Sequence, residues 1–481
     1  MATLAPSEPR AVLGPPVHRT CALVIGAGIS GLVSALRLHR AGVDVTVLET
    51  AAQPGGVIDS CWDQGHLLER GPNSVLLRPE LEALIAGLGL AGPLQVTPMR
   101  DHPRFIYRRG CGLLPVPVSP MAFVRSRLLS WRAKLRLLRE PFLIGSPRGE
   151  ESVASFAERH LGREMAETFI APFVSGIYAG DPRQMSLPGA LPRMRALAER
   201  GHGSLVRGAI SKMLAERRAA SGPPRRPSSL CSFPSGLAQI PAAIACELGD
   251  RLRCGWRAIE VSLREGGSWR VRARHASGEC AEWRADALIL ATPPRDAAEL
   301  LEPCVPQAAV PLRFIGATSL VTVHLAVPIT SLARPAQGFG FLVPRGQGLR
   351  ILGALHSSAV FPGRAPEGTA LLTVFLGGAT DPGAIEADDA AIRMTVRHDL
   401  QMALGWNGEC RLARITRHRA ALPAYDLGHV ARIRAAERAA AAAPAPLALA
   451  GNYLHGISLA DCVTQANTAA AAILARRGVP A

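Results

Sequence analysis

Gly26-Ala27-Gly28-Ile29-Ser30-Gly31 decides the fold of the chain. The four residues before it, Ala22-Leu23-Val24-Ile25, are a short apolar run that reads as a buried strand. After it, Ile29, Leu32, Val33 and Leu36 recur on one face at helical spacing, and Gly42 supplies a stop. Val43 to Leu48 then reads as a second strand. The chain therefore opens β-α-β, which predicts a parallel sheet and a right-handed crossover. At such a junction Gly26 permits the tight turn, Gly28 lets backbone approach a pyrophosphate, and Gly31 lets helix and strand pack closely. The unpaired N–H groups of the helix N-terminus face the phosphates. Glu49 follows Gly28 by 49 − 28 = 21 positions, against the ~20 expected for a carboxylate that binds ribose hydroxyls.

Working outward, Gln53-Pro54-Gly55-Gly56 follows the acid. Two glycines there let a loop fold back over the dinucleotide, which many FAD enzymes do and NAD dehydrogenases do not require. The chain has no second G-x-G-x-x-G, so no separate NAD(P)H domain is expected. Electrons should leave a flavin to dioxygen or a quinone. At the far end, Gly451-Asn452-Tyr453-Leu454-His455-Gly456-Ile457-Ser458-Leu459-Ala460-Asp461-Cys462 joins a short strand, Leu447 to Ala450, to an Ala-rich helix, Leu459 to Arg476. A helix N-terminus aimed at the flavin N1/C2=O edge would stabilise the reduced, anionic ring. Asp461 reads equally well as a plain helix cap. Cys462 reads as a small buried residue rather than a covalent flavin link.

The remaining composition bounds the answer. The chain has 481 residues and a net charge of +16, carried almost wholly by arginine, with Lys134 and Lys212 the two lysines. That excess predicts anionic partners such as lipid headgroups, carboxylates or phosphates. Ten cysteines without C-x-x-C spacing exclude zinc-ribbon and iron–sulfur patterns and give a disulfide framework no support. Met1 to Thr20 has no apolar run, reads as a disordered extension and is not a signal peptide. No segment reaches the ~20 apolar residues of a membrane span. Met121 to Leu143, with Arg125, Arg127, Arg132, Lys134, Arg136 and Arg139 among apolar residues, reads as an interfacial helix. Further helical pattern runs from Val153 to Phe169 and from Leu205 to Arg218, and Ser221 to Ser229 reads as a linker. Strands are expected around Trp269–Ala273, Ala287–Ala291, Leu320–Leu325, Gly340–Val343, Arg350–Leu355 and Leu371–Leu376, and a helix at Ala431–Ala443.

Five stretches together resemble the oxygen-dependent, FAD-containing protoporphyrinogen oxidases. They are Glu69-Arg70-Gly71-Pro72-Asn73-Ser74; His102 to Tyr107 with Leu114-Pro115; Pro172 to Asp181; Gly338 to Pro344; and Gly451 to Cys462. The likeness runs from about Cys21 to the C-terminus. The chain departs from the pattern at Arg70, often Leu, at Val57, often aromatic, and at Asn452. The opening motif alone resembles only the wider amine-oxidase and phytoene-desaturase-like group.

The resemblance implies an α/β fold: a Rossmann-like FAD-binding domain of the glutathione-reductase and amine-oxidase kind, a mixed-sheet substrate domain and an α-helical membrane-associated insert. The expected division is 18–97, 236–300 and 435–481 for the FAD domain, 98–112, 205–235 and 301–434 for the substrate domain, and 113–204 for the insert. FAD would be bound non-covalently by Gly26, Ala27, Gly28, Ile29, Ser30, Gly31, Glu49, Thr50, Gly55, Gly56, Val57, Gly71, Pro72, Asn73, Ser74, the backbone of Ala258, Asn452, Ile457, Ser458 and Leu459. Arg104 resembles the residue that pairs with a substrate propionate, and Gly176 the one whose carbonyl faces the pyrrole N–H groups. Phe339, Leu342 and Phe375 would sandwich the macrocycle. Read singly, Arg104 is a surface arginine and Gly338 to Phe341 a sheet core. The implied partners are a tetrapyrrole substrate, a membrane surface, a second copy in a homodimer and a ferrochelatase that takes over the product; nucleic acid and metal are not expected. The implied location is peripheral, on the cytoplasmic side of a bacterial inner membrane. Rival readings are a coproporphyrinogen oxidase, an amine oxidase, which commonly places a Lys near flavin N5, and a carrier without catalysis.

Overall fold

A computed structural model describes residues 16–142, 149–218 and 228–478. Its first sheet has seven strands. β1 (Val17–Ile25) lies between β2 (Val45–Glu49) and the strand Cys280–Leu290, parallel to both. Leu252–Cys254 continues the parallel order beyond β2, and Leu447–Leu449 pairs with the second half of Cys280–Leu290. Trp256–Arg264 and Ser268–His275 add an antiparallel meander. Both faces are covered, which explains the unbroken apolar run in β1. Ala22 and Val24 point to a layer made by α1 (Ile29–Arg40), Gln239–Leu248 and the C-terminal helix Leu459–Arg476. Leu23 and Ile25 point the other way, to Pro294–Leu301, Pro306–Arg313 and His429–Ala441. Each fully buried Val, Leu or Ile contributes about 1.5–3 kcal/mol.

The second sheet is mixed, as expected. Its order is Leu412–Pro423, Ala317–Pro328, Thr369–Gly377, Gly353–His356, Gly340–Leu342, Arg104–Arg108 and Gly112–Pro115. Only Gly340–Leu342 and Arg104–Arg108 run parallel within it. One face packs on the helix Asp389–Leu404, which the periodicity reading missed. The other face carries His324 and Thr373 in one register row, which bond the Glu69 carbonyl at 2.9 Å and the Asn73 side chain at 3.2 Å.

Several expectations need correction. The extension read through Thr20 ends sooner, because Val17 to Thr20 pair with Glu282 to Ala285; residues 1–15 lie outside the described ones, as do 221–227 of the expected linker. Met121 to Leu143 is not one helix. Pro120–Arg125 and Trp131–Arg136 are separate short helices, followed by the 3-10 turn Leu137–Phe142; Leu143 is outside the described residues. Ser119 and Ser130 each cap a helix start, through Ala122 N–H and Ala133 N–H at 3.2 Å each. The Lys134 ammonium donates at 2.7 Å to the carbonyls of Val124 and Ser126, which closes the intervening turn. Val153 to Phe169 likewise breaks at Gly162. The division expected at 204/205 falls inside one packed group: Leu205–Arg218 lies against Pro192–Arg200 and Leu137–Phe142. Buried Glu140 joins these, accepting from Ser204 Oγ at 2.7 Å, from the N–H groups of Leu205 and Val206, and from His160 Nδ1. Ser229–Ser232 pairs with Val75–Leu76 and Gln95–Pro98, not with the substrate sheet. No helix among the described residues is long and apolar enough to cross a membrane.

Candidate active site

The first wall of the site is the turn after β1. Gly26 has φ +102°, and a Cβ on it would lie 2.6 Å from the Ala291 carbonyl oxygen. A Cβ on Gly31 would lie 1.9 Å from the Gly26 carbonyl oxygen, so helix and turn touch through bare backbone. Gly28 differs: it is the N-cap residue just before α1, and a Cβ there would meet nothing within 4 Å. Open space thus stands in front of a helix N-terminus. The Glu49 carboxylate, at the end of β2, accepts from Ala27 N–H at 2.6 Å and Ala51 N–H at 2.8 Å. Thr50 is exposed beside it, while Ile29 and Ser30 are buried in the first turn. Gly55 N–H donates to the Ala27 carbonyl at 2.8 Å, and Gly56 comes close to Gly28. Gly255 N–H bonds to the Ala51 carbonyl at 3.0 Å, which brings the start of the strand carrying Ala258 beside Glu49.

The second wall is Gly71 to Ser74. A Cβ on Gly71 would lie 1.7 Å from the Val57 carbonyl oxygen, so the two backbones are in contact, and the Val57 side chain is left exposed. Asn73 is buried and ties this wall to the second sheet. Its Nδ2 donates to Ser357 Oγ at 2.9 Å and Thr373 Oγ1 at 3.2 Å. Its Oδ1 and its carbonyl each accept from Arg364 at 2.9 Å. Arg364, 2% exposed, also donates to Ser232 Oγ at 2.6 Å and pairs with Glu69 at 3.3 Å. Burial raises the Glu69 carboxyl above its usual range despite that pairing, and brings the Arg364 guanidinium down to about 10. The sequence reading missed Arg364 entirely. Arg70, a departure from the resembled pattern, pairs with Asp59 at 2.7 Å.

The third wall is the C-terminal loop, Asn452 to Leu459. Ser458 and Asp461 form a capping box, so Asp461 does act as a cap. It also pairs with Arg78 at 2.6 Å. The C-terminal helix lies beside α1, with Ser34 Oγ donating to the Ala466 carbonyl at 3.2 Å. Ser30 and Cys462, in the first turns of the two helices, adjoin, and burial pushes the Cys462 thiol up to about 11. Two helix N-termini therefore open side by side.

The facing surface belongs to the second sheet. Leu342, Gly353 and Phe375 stand in one register row, and Gly340, Leu355 and Thr373 in the row two residues along, on the same face. A Cβ on Gly353 would lie 2.3 Å from the Phe341 carbonyl oxygen, so no side chain fits between Leu342 and Phe375. A Cβ on Gly176, in the helix Ala171–Tyr178, would lie 2.8 Å from Leu342 Cδ2. Arg104 pairs by backbone with Gly340, and its guanidinium lies 5.3 Å over the Phe339 ring. Burial around the guanidinium lowers its pKa, yet no carboxylate pairs with it among the described residues. Thr373 bonds to Asn73 on this face, which joins the platform to the second wall. The groove offers backbone donors suited to an anion, the Glu49 carboxylate at the end of β2, and an apolar platform beside Arg104, which has no carboxylate partner among the described residues.

Residues 29–474 match the model of flavin containing amine oxidoreductases. The chain belongs to that family. It is an oxidoreductase with a flavin cofactor. It is 32% identical to the chloroplastic protoporphyrinogen oxidase of Oryza sativa subsp. japonica, over 97% of this chain and 90% of that one. It is 27% identical to the coproporphyrinogen III oxidase of Bacillus subtilis, over 93% and 96%. A solved protein from Exiguobacterium sp. 255-15 is 26% identical and superposes with a TM-score of 0.78, covering 95% of this chain and 99% of that one.

Proposed function

We propose that the chain binds FAD non-covalently in this groove and oxidises protoporphyrinogen IX to protoporphyrin IX, with three dioxygen molecules reduced to three of peroxide. The observation that carries the substrate reading is the row Leu342–Gly353–Phe375, an apolar platform with a side-chain gap, with Arg104, unpaired among the described residues, two residues along the same sheet. Bound FAD supplies the acceptor for each two-electron dehydrogenation and returns the electrons to dioxygen. The rest falls to the chain. Gly26 to Gly31 would hold the pyrophosphate, Glu49 with Thr50 the ribose, and the Ala258 backbone the adenine side. Gly55, Gly56 and Val57 would close over the dinucleotide. Gly71 to Ser74 would lie along the isoalloxazine, with Asn452 and Ile457 to Leu459 at its far edge. Arg104 would hold a propionate through a planar, bidentate fork. Phe339, Leu342 and Phe375 would orient the macrocycle, and the Gly176 carbonyl would accept from its pyrrole N–H groups.

Coproporphyrinogen III is the second reading, supported by the relatives of that name. Its four propionates would call for cations around the whole rim, and the platform rows offer Arg104. An amine oxidase is disfavoured: Lys134 is spent on backbone carbonyls, and Lys212 is exposed on Leu205–Arg218. Anaerobic mixing of the FAD-loaded protein with each porphyrinogen decides. Bleaching of the flavin is expected fastest with protoporphyrinogen IX. Faster bleaching with coproporphyrinogen III would move the substrate, and none with either would end the porphyrinogen reading.

The helical region would rest on an anionic membrane surface. Trp131, Leu138 and Phe142 are 63%, 67% and 80% exposed. Beside Trp131 lies an open concavity of about 410 Å³ lined by Arg108, Arg125, Arg127 and Lys134. Phe173 and Ile177 on the Gly176 helix are exposed too.

A further inference from the structure

The loop that leads into the C-terminal helix is gripped by two side chains. The Tyr425 hydroxyl donates to the Asn452 carbonyl at 2.6 Å and accepts from Gly456 N–H at 3.1 Å. Gln465, inside the helix, donates from Nε2 to the Gly456 carbonyl at 3.2 Å. Tyr425 is fully buried, with ring centroids 5.5 Å from Tyr178 and 4.4 Å from His429. Burial drives its pKa far above the ordinary phenol range, so it stays a neutral donor. Its own backbone sits at φ +49°, and its carbonyl accepts from Ser186 N–H at 2.8 Å. One tyrosine is therefore anchored by its backbone to the helical region while its phenol bridges Asn452 and Gly456, the ends of a five-residue stretch of the loop.

We propose that Tyr425 and Gln465 are positioning residues for the reduction potential of the bound flavin. This rests on the FAD reading above. The capping box fixes the internal geometry of the first helical turn, whereas Tyr425 and Gln465 fix where that turn sits. A helix N-terminus stabilises negative charge only within about its first turn. The reduced flavin carries that charge, so displacing the turn weakens reduction without removing any group that touches the ring.

The test uses FAD-loaded, full-length protein and reads the midpoint potential by equilibrium reduction against a dye. Tyr425→Phe and Gln465→Leu each keep the side-chain bulk and lose the contact. Each is expected to retain stoichiometric FAD and native circular dichroism. The equilibrium constant for two-electron reduction should fall about threefold to tenfold, which is about 15 to 30 mV more negative. Tyr178→Phe serves as the control: it breaks the neighbouring bond to the Ala190 carbonyl, 2.6 Å, and should leave the potential unchanged. Wild-type potentials in both single variants would overturn the proposal, as would an equal shift in Tyr178→Phe. If one variant does not fold, the other decides by the same criterion. A wild-type chain that takes up no flavin would instead overturn the function proposed above, and this inference with it.

Discussion

Gly28 is a residue whose missing side chain faces emptiness. A Cβ there meets nothing within 4 Å, so a bulkier residue can be accommodated by the protein itself. Gly28→Val should therefore fold, with a melting temperature close to wild type, and yet lose FAD because the new methyls occupy the path of the pyrophosphate. Purified variant with full, tightly held FAD would rule this out. Arg104 is the opposite case, a side chain that lies over the Phe339 ring with no carboxylate partner among the described residues. Arg104→Ala should leave FAD content unchanged and lower kcat/KM for a porphyrinogen about tenfold to a hundredfold, the loss of a charge-assisted bond of about 1.5–3 kcal/mol. Unchanged turnover would mean that the carboxylate is held elsewhere. The two residues also differ in how readable they are. Gly28 comes with a strand before it and a helix after it, so its purpose is local. Arg104 shares a five-residue strand with a second arginine, Arg108, and only its likeness to a family stretch marked it out.

At the scale of elements, the platform sheet carries two buried histidines, His324 and His356, each brought down to about 4 by burial. A depressed histidine means that the unfolded chain binds the proton more readily. The stability they allow is complete above the unfolded value, about 6.5, and is lost as pH falls toward 4. At pH 5 the two together should cost up to about 4 kcal/mol, at 1.36 kcal/mol per unit for each. Urea titrations at pH 7.5 and pH 5 should show the midpoint falling, and His324→Gln should blunt the fall. An unshifted midpoint would mean that both rings are hydrated in solution. The helical region invites a different measurement. Flotation with anionic vesicles at low salt should carry the protein upward, and Trp131→Ser with Leu138→Ser should leave it at the bottom. Failure of the wild type to float would remove the membrane assignment. The amphipathic pattern of Met121 to Leu143 was visible in the sequence, but its breaks were less so. Ser126, Ser130 and Pro141 disturb the apolar spacing little, and their effect appears only when caps and carbonyl contacts are counted.

Across the whole molecule, the Gly71 to Ser74 wall, the strand His66–Glu69 and the strand Ser229–Ser232 are tied together by a buried polar cluster centred on Arg364, which Asn73 links to the second sheet. Arg364 lies in a Pro- and Gly-containing loop, without periodicity, and its partner Glu69 is 295 positions away. No local pattern announces such a residue, which is why the parallel sheet and its glycine turn were legible and this junction was not. The helices Gln239–Leu248 and Asp389–Leu404 escaped notice for a related reason, since their apolar faces are diluted by alanine and polar residues. Arg364→Met should cost about 3–5 kcal/mol, because Glu69 would keep a buried charge without its partner. Pairing it with Glu69→Gln should restore part of that loss. A variant as stable as wild type in urea would show that the cluster contributes no net stability.

α1 ends at Arg40, and the helix that lies beside it begins at Leu459. On a ribosome that separation becomes a waiting time. At ~5–20 residues per second, 459 − 40 = 419 residues take roughly 20 to 80 seconds to make. During that interval α1 can pack on the first strands and, once made, on Gln239–Leu248, but the face that meets Leu459–Arg476 stays uncovered, and one wall of the groove does not yet exist. If the groove holds the flavin as proposed, its third wall is completed only when Leu459–Arg476 has left the ribosome. A chain cut before Leu459 should keep the opening turn and, on the proposed reading, purify without colour.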